Sequence, residues 1–171
     1  ALAAKMGLTA SQVRQDFNCF GGFGQQGYGY NVENLRASIR EILKLDCSHK
    51  AIIIGVGNLG RALMTNFNFG QSGFALAAAF DVKKELQGIQ VAGVPVLSME
   101  SLQDYVEHKR PDIAILTLPR QFASQVAADL CKWGIRGIWN FTGVDLHLDG
   151  LEVPVENVHF SESLMTLSYR I

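Results

Sequence analysis

The run Gly55-Val56-Gly57-Asn58-Leu59-Gly60 sets three glycines at the spacing G-x-G-x-x-G. That spacing carries a chemistry when it follows a strand and opens a helix. The first glycine permits a tight turn, the second lets the backbone approach a pyrophosphate, and the third lets helix and strand pack closely. The context fits. Ala51–Ile54 is a short, wholly apolar run of the kind that forms a strand buried on both faces, and residues 57–67 read as a helix. Amides at the helix N-terminus and the helix dipole would hold the phosphates. Asp81 ends a second apolar run, 21 residues beyond Gly60. An acidic residue there hydrogen-bonds an adenosine ribose, and its charge repels a 2′-phosphate, which favours NAD(H) over NADP(H). Val82 and Lys83 complete the adenosine side, although Lys83 and Lys84 are basic and work against that discrimination.

Ligands of such sheets bind outside the carboxyl ends of the strands. Thr117 and Pro119 end a third apolar run, and Asn140 and Phe141 a fourth, so both pairs are expected to face the cofactor. Catalytic machinery is harder to find. His147 and His159 are the histidines near the late strands, and each reads more simply as a structural or surface residue. No catalytic residue is assigned. Cys19, Cys47 and Cys131 form no C-x-x-C pair and the histidines lack ligand spacing, so reduced thiols and no metal site are expected. The residues by themselves leave three readings open: a small NAD-dependent oxidoreductase, a cofactor-responsive DNA-binding protein, and a cofactor-binding regulator without DNA binding.

The elements that must position these residues follow from patterning. Strands are expected at Ala51–Ile54, Phe74–Phe80, Ile113–Leu118 and Ile135–Phe141, with a candidate edge strand at Val155–Phe160. Helices are expected at residues 57–67, Glu100–Lys109 and Gln121–Trp133, the last capped by Gly134. Alternation of strands and helices implies an α/β, Rossmann-type parallel sheet with helices on both faces, over residues 50–160. A closing helix, Ser161–Tyr169, would be capped by Ser161. Upstream, residues 1–8 read as the end of a helix. Thr9 with Gln12 forms a capping box for a helix over Ser11–Phe17. Five glycines between Gly21 and Gly29, interleaved with aromatics, suggest a short hairpin. Leu35, Ile39, Ile42 and Leu43 then mark an amphipathic helix over residues 32–45. A polar linker, Asp46–Lys50, sets the domain boundary.

With 171 residues, 48% hydrophobic and 18% charged, the chain has a globular composition and room for one full domain and part of another. Net charge is −1, split as +2 over residues 1–50 (six Lys/Arg, four Asp/Glu) and −3 over the rest (nine, twelve). This neither requires nor excludes nucleic acid. No apolar stretch reaches the roughly 18 residues of a membrane span, and no charged-then-apolar leader is present, so no membrane role and a cytoplasmic location are expected. Because Ala1 opens inside a helical pattern, the natural protein is expected to extend upstream.

The chain resembles the Rex family of redox-sensing transcriptional repressors from Leu2 to Ile171. The carriers are Ser11-Gln-Val-Arg-Gln-Asp-Phe17, Phe20-Gly-Gly-Phe-Gly with Gly27-Tyr-Gly-Tyr30, Gly57-Asn-Leu-Gly60, Phe80-Asp81, Leu116-Thr-Leu-Pro119, Gly134-Ile-Arg-Gly-Ile-Trp-Asn-Phe-Thr142 and the closing helix. The resemblance implies an N-terminally incomplete winged-helix domain over residues 1–46, the Rossmann domain, and a C-terminal helix over 161–171 exchanged between protomers of a homodimer. It implies binding to a palindromic operator DNA, relieved by NADH. The recognition helix would offer Thr9, Ser11, Gln12, Arg14 and Gln15, and the wing Gln25, Gln26, Gly27 and Tyr28. Four departures stand out. Gln15, Gln25 and Gln26 occupy places that are usually basic in the family. Asn66 stands for a tyrosine near the nicotinamide, His159 for an aspartate implicated in switching, and Gly143 for a proline. A neutral dihydronicotinamide enters an apolar pocket more readily than the cationic oxidised ring, and Phe160 is the expected wall of that pocket.

Overall fold

The computed structural model describes residues 2–19, 24–25, 29–42, 48–148 and 152–171. The chain divides into two compact units, residues 1–47 and 48–171.

The first unit contains α1 (Leu2–Met6), α2 (Ala10–Cys19), a two-stranded antiparallel ribbon of β1 (Gly24–Gln25) and β2 (Gly29–Tyr30), and α3 (Val32–Ile42). Gly7, at φ 66°, makes the tight turn that ends α1 at Met6. The capping box forms: Gln12 N–H donates to Thr9 Oγ1 at 3.2 Å and Thr9 N–H to Gln12 Oε1 at 3.0 Å. Asn31 caps α3 by accepting from Asn34 N–H at 3.0 Å. Val13 and Leu35 are the buried apolar side chains among the described residues of this unit, and Phe17 packs edge-on against Tyr30, 5.3 Å between ring centres. Gln26, Gly27, Tyr28 and Leu43 lie outside the described residues, as does Cys47; Cys19 and Cys131 are free thiols.

The second unit runs β3 (His49–Ile54), α4 (Asn58–Asn66), β4 (Phe74–Asp81), β5 (Gln90–Val91), β6 (Val94–Ser98), α5 (Leu102–Lys109), β7 (Ile113–Leu116), α6 (Ala123–Lys132), β8 (Gly137–Asn140), β9 (Val155–Asn157) and α7 (Phe160–Tyr169). Its sheet order is β5-β6-β4-β3-β7-β8-β9. All pairings are parallel except β5 with β6. Without β5 this is the 3-2-1-4-5-6 order of dinucleotide-binding Rossmann sheets, and its topological switch point lies between β3 and β7.

Side chains alternate between two cores. Ile52, Ile54, Phe80, Leu116 and Ile138 face α5 and α6, which bury Leu102, Val106, Ala123, Ala127 and Leu130 against them. Ala51, Ile53, Ala79, Val96 and Ile115 face the other way, toward Met64 of α4 and Phe69. A carboxylate staples the sheet at the end remote from the switch point. Asp112 accepts from Lys50 N–H (2.9 Å) and from the Arg136 guanidinium (2.8 Å), joining the starts of β3, β7 and β8.

Several expectations need correction. His49 and Lys50 begin β3 rather than closing a linker. The last two strands are shorter than expected, and Phe160 opens α7 instead of ending β9. His159, not Ser161, is the N-cap residue of α7, and no side chain caps it; Ser161 falls inside the first turn. β5 and β6 have no counterpart among the expected elements. They form a hairpin through Ala92 and Gly93, both at positive φ (51° and 81°), as a two-residue type I′ turn requires.

Candidate functional site

The glycine loop is held from both neighbouring strands. Gly55 has φ 98°, and a Cβ there would lie 2.8 Å from the Thr117 carbonyl oxygen. Its N–H donates to Phe80 O (2.8 Å) on the β4 side. Its carbonyl accepts from Thr117 Oγ1 (2.7 Å) on the β7 side. A Cβ on Gly60 would run into the Gly55 carbonyl oxygen, so α4 can approach the loop only without one. Gly57 differs from both. It is the N-cap residue of α4, with φ −74° and ψ −164°, and a Cβ there would meet nothing within 4 Å. The first helical bond, Arg61 N–H to Gly57 O, leaves the N–H groups of the preceding turn without helical partners. Asn58 is exposed and Leu59 half-buried beside this open ground. Exposed backbone, free amides and a helix N-terminus together make an anion cradle.

Asp81 is buried at 7% exposure, and its carboxylate is engaged. Oδ2 accepts from Val56 N–H at 2.6 Å and Oδ1 from Lys83 N–H at 2.8 Å. Gln87 Nε2 donates to its carbonyl at 3.2 Å. Val82 and Lys83 are exposed beside it, and Pro119 is exposed beyond the end of β7.

Asn140 is turned away from this ground. At 1% exposure, its Nδ2 donates to Val144 O (2.6 Å) and Asn157 Oδ1 (2.7 Å). Its Oδ1 accepts from Thr142 N–H (3.1 Å) and Thr142 Oγ1 (2.7 Å). All four positions of the amide are filled from the segment after β8 and from β9. The expected cofactor contact through this side chain is therefore replaced by a structural one. Thr142 sits in a segment without periodicity, and the expected edge strand holding Asn157 carried no sign of which partner that side chain would meet.

Phe160 is 62% exposed at the start of α7, with its ring 6.2 Å from that of Phe141. A series of rings continues from there: Phe141 to Trp139 (4.6 Å), Trp139 to Phe67 (5.4 Å) and Phe67 to Phe69 (4.8 Å). His159 Nε2 stands 2.9 Å from Asp145 Oδ1, which ties the start of α7 to the segment after β8. An apolar cavity of about 470 Å³ opens on the same sheet face, lined by Phe67, Phe69, Phe74, Ile113, Ile115 and Trp139 among others. No residue of the glycine loop lines it, so it is distinct from the crevice at the switch point.

In the first unit, α2 exposes Ser11, Gln12, Arg14 and Gln15 on the side away from Val13. Arg14 lies along the helix, Nε donating to Ala10 O at 3.1 Å, while Thr9 and Gln12 are engaged with each other. Burial raises the Cys131 thiol and the Tyr105 hydroxyl above their ordinary pKa values, keeping both neutral. Among the described residues no three His, Cys, Asp or Glu side chains gather as a metal site, and no helix is long and apolar enough to cross a membrane.

Three comparisons bear on this arrangement. A family model described as a CoA binding domain matches residues 46–144. The redox-sensing transcriptional repressor Rex of Thermoanaerobacter sp. (strain X514) is 48% identical over 170 residues, covering 99% of this chain and 75% of that protein. Among solved structures, RSP, a Rex-family repressor, superposes in its complex with β-NAD+ and operator DNA at a TM-score of 0.89, with 47% identity over 99% of this chain and 77% of that one. RSP in complex with β-NADH gives a TM-score of 0.84 at 44% identity, over 99% of this chain and 78% of that one.

Proposed function

The chain belongs to the Rex family of redox-sensing transcriptional repressors, and from that premise we propose that it senses the NADH/NAD+ ratio and releases operator DNA when NADH binds. The observation that carries this reading is the open ground at Gly57, in a chain matched along 99% of its length by a repressor crystallised with both NAD+ and operator DNA. The cofactor's pyrophosphate would lie over Gly57, Asn58 and Leu59. Its adenosine would lie toward Asp81, Val82 and Lys83, and its nicotinamide toward Thr117, Pro119 and Phe160. A CoA-binding and a dinucleotide-binding domain have the recognition of an adenosine diphosphate in common, which accords with the match to residues 46–144.

The redox signal would be read as charge. NADH presents a neutral ring and NAD+ a cationic one, and an apolar wall at Phe160 and Phe141 favours the neutral form. Asp81 at the end of β4 favours NADH over NADPH. Operator contact is assigned to residues 1–46, read as a winged-helix region, with Thr9, Ser11, Gln12, Arg14 and Gln15 on the recognition helix and Gln25 to Tyr28 on the wing. A palindromic site is expected because the protein is read as a homodimer. The support for that is α7. A ten-residue helix cannot persist in water alone, yet Leu164, Met165, Leu167 and Tyr169 are all exposed. A second copy would cover them. The place of action is the cytoplasm, where both ligands are found. The relatives are repressors, so the oxidoreductase alternative falls away.

Calorimetry with NADH, NAD+ and NADPH tests the cofactor half of this reading. NADH is expected to bind most tightly. Absence of saturable NADH binding would overturn it.

A further inference from the structure

Asp81 was expected to act on the ribose of the cofactor, and its surroundings give it a different task. We propose that Asp81 is the positioning residue of the phosphate loop, so that its contribution to cofactor affinity passes through the backbone of Val56 and not through a ribose hydroxyl. This rests on the reading of the crevice as a dinucleotide site.

Three observations converge. First, both carboxylate oxygens accept from backbone N–H groups, and those groups belong to two different segments: Val56 in the glycine loop (2.6 Å) and Lys83 in the turn after β4 (2.8 Å). The second bond, from residue i+2, closes a local turn and fixes the carboxylate's own orientation. Second, the residue is 7% exposed, so most of its surface is already covered without ligand. Third, the other anchors of the loop hold its carbonyls and Gly55: Arg61 Nε donates to Val56 O at 3.3 Å and Arg61 N–H to Gly57 O at 2.9 Å. Gly55 N–H bonds Phe80 O, and Thr117 Oγ1 bonds Gly55 O. Val56 N–H comes next, and after it the backbone is exposed at Gly57, where a Cβ would meet nothing. Asp81 therefore holds the last fixed amide before the cradle. Releasing it would free the Val56 end of the loop, with Gly57 O still held by Arg61 N–H, and would let the Val56–Gly57 peptide turn its N–H away from the cradle.

The residue type follows from the geometry. An ionised carboxylate is an acceptor at both oxygens, and bonds from N–H to a charged acceptor are the strong ones. An asparagine of the same shape offers one acceptor and must point an N–H₂ at one of two N–H donors. Asp81→Asn should therefore fail at this task almost as completely as Asp81→Ala. A residue that merely read the ribose would keep part of its function as asparagine.

The test is a cycle of two proteins and two cofactors, on the 171-residue chain. NADH and its 2′,3′-dideoxyadenosine analogue are titrated into the parent and into Asp81→Asn, with Asp81→Ala alongside. The two perturbations are independent if Asp81 acts through the loop. Both variants are then expected to weaken NADH and the analogue by the same factor, about tenfold or more. A variant that weakens NADH but binds the analogue as the parent does would make Asp81 a ribose reader and overturn the proposal, as would variants that bind both cofactors like the parent. Amide exchange on the ligand-free parent gives a readout that needs neither a variant nor a cofactor. Val56 N–H is expected to be protected like the amides of β3. Exchange at the rate of an open loop would overturn the clamp. Failure of the parent to bind NADH would instead count against the dinucleotide site, and the exchange measurement would still decide the clamp.

Discussion

Gly57 and Gly60 are the same residue type three positions apart, and alanine has different consequences at each. At Gly60 a Cβ would strike the Gly55 carbonyl, so α4 must shift, and Gly60→Ala should cost about 1–3 kcal/mol of stability as well as cofactor binding. At Gly57 the backbone conformation suits alanine and the space is open. Lost N-cap preference and reduced freedom of the unfolded chain roughly offset each other, so Gly57→Ala should stay within about 1 kcal/mol of the parent. It should still lose NADH affinity, because its methyl would stand where the proposed site puts the pyrophosphate. Urea melts with calorimetry separate the two cases; a destabilised Gly57→Ala with intact NADH binding would contradict the assignment. Both glycines were legible in the sequence because their spacing encodes backbone geometry. Asn140 was not. Its position at the end of a strand was right, but the direction of its side chain depends on Thr142, Val144 and Asn157, which no periodicity announces. Asn140→Ala should cost about 2–3 kcal/mol in a urea melt, since Thr142 and Asn157 lose buried partners. A change near zero would mean that this network holds nothing.

At the scale of elements, the strands buried on both faces and the helices with clear apolar stripes were read correctly, because burial on two faces leaves an uninterrupted apolar run. The hairpin β5–β6 was overlooked. Pro95 argues against a strand, and it is tolerated here because it pairs with the short edge strand β5 while β4 pairs with β6 only from Val96 onward. Ala92 in the left-handed region gave no turn signal of the Asn-Gly kind. The start of α7 was misplaced by one residue for a related reason: Ser161 is a good cap by type, but the chain leaves β9 so that His159 occupies the N-cap position. The helix itself yields a prediction. Leu164→Ser with Leu167→Ser removes both leucines from the apolar surface that a second copy would cover. Light scattering should then report monomers where the parent gives dimers. A double variant that remains a dimer at the same concentration would place the interface elsewhere.

At the scale of the molecule, the claim is that two ligands compete through one chain. A sensor responds only if its ligand binds one arrangement better than another, and the coupling is reciprocal. Whatever factor NADH costs operator affinity, operator must cost NADH affinity. The coupling is expected to lie in the usual range of about 1–3 kcal/mol, or 5- to 150-fold. NAD+ should produce much less, because its charged ring would be poorly held against the proposed apolar wall of Phe160 and Phe141. The most direct measurement is fluorescence anisotropy of a labelled palindromic operator bound to the chain, titrated in parallel with NADH and NAD+ at fixed salt. Release of the DNA by NADH is expected at concentrations where NAD+ leaves it bound. Operator affinity that is the same with saturating NADH, with NAD+ and with neither would contradict it.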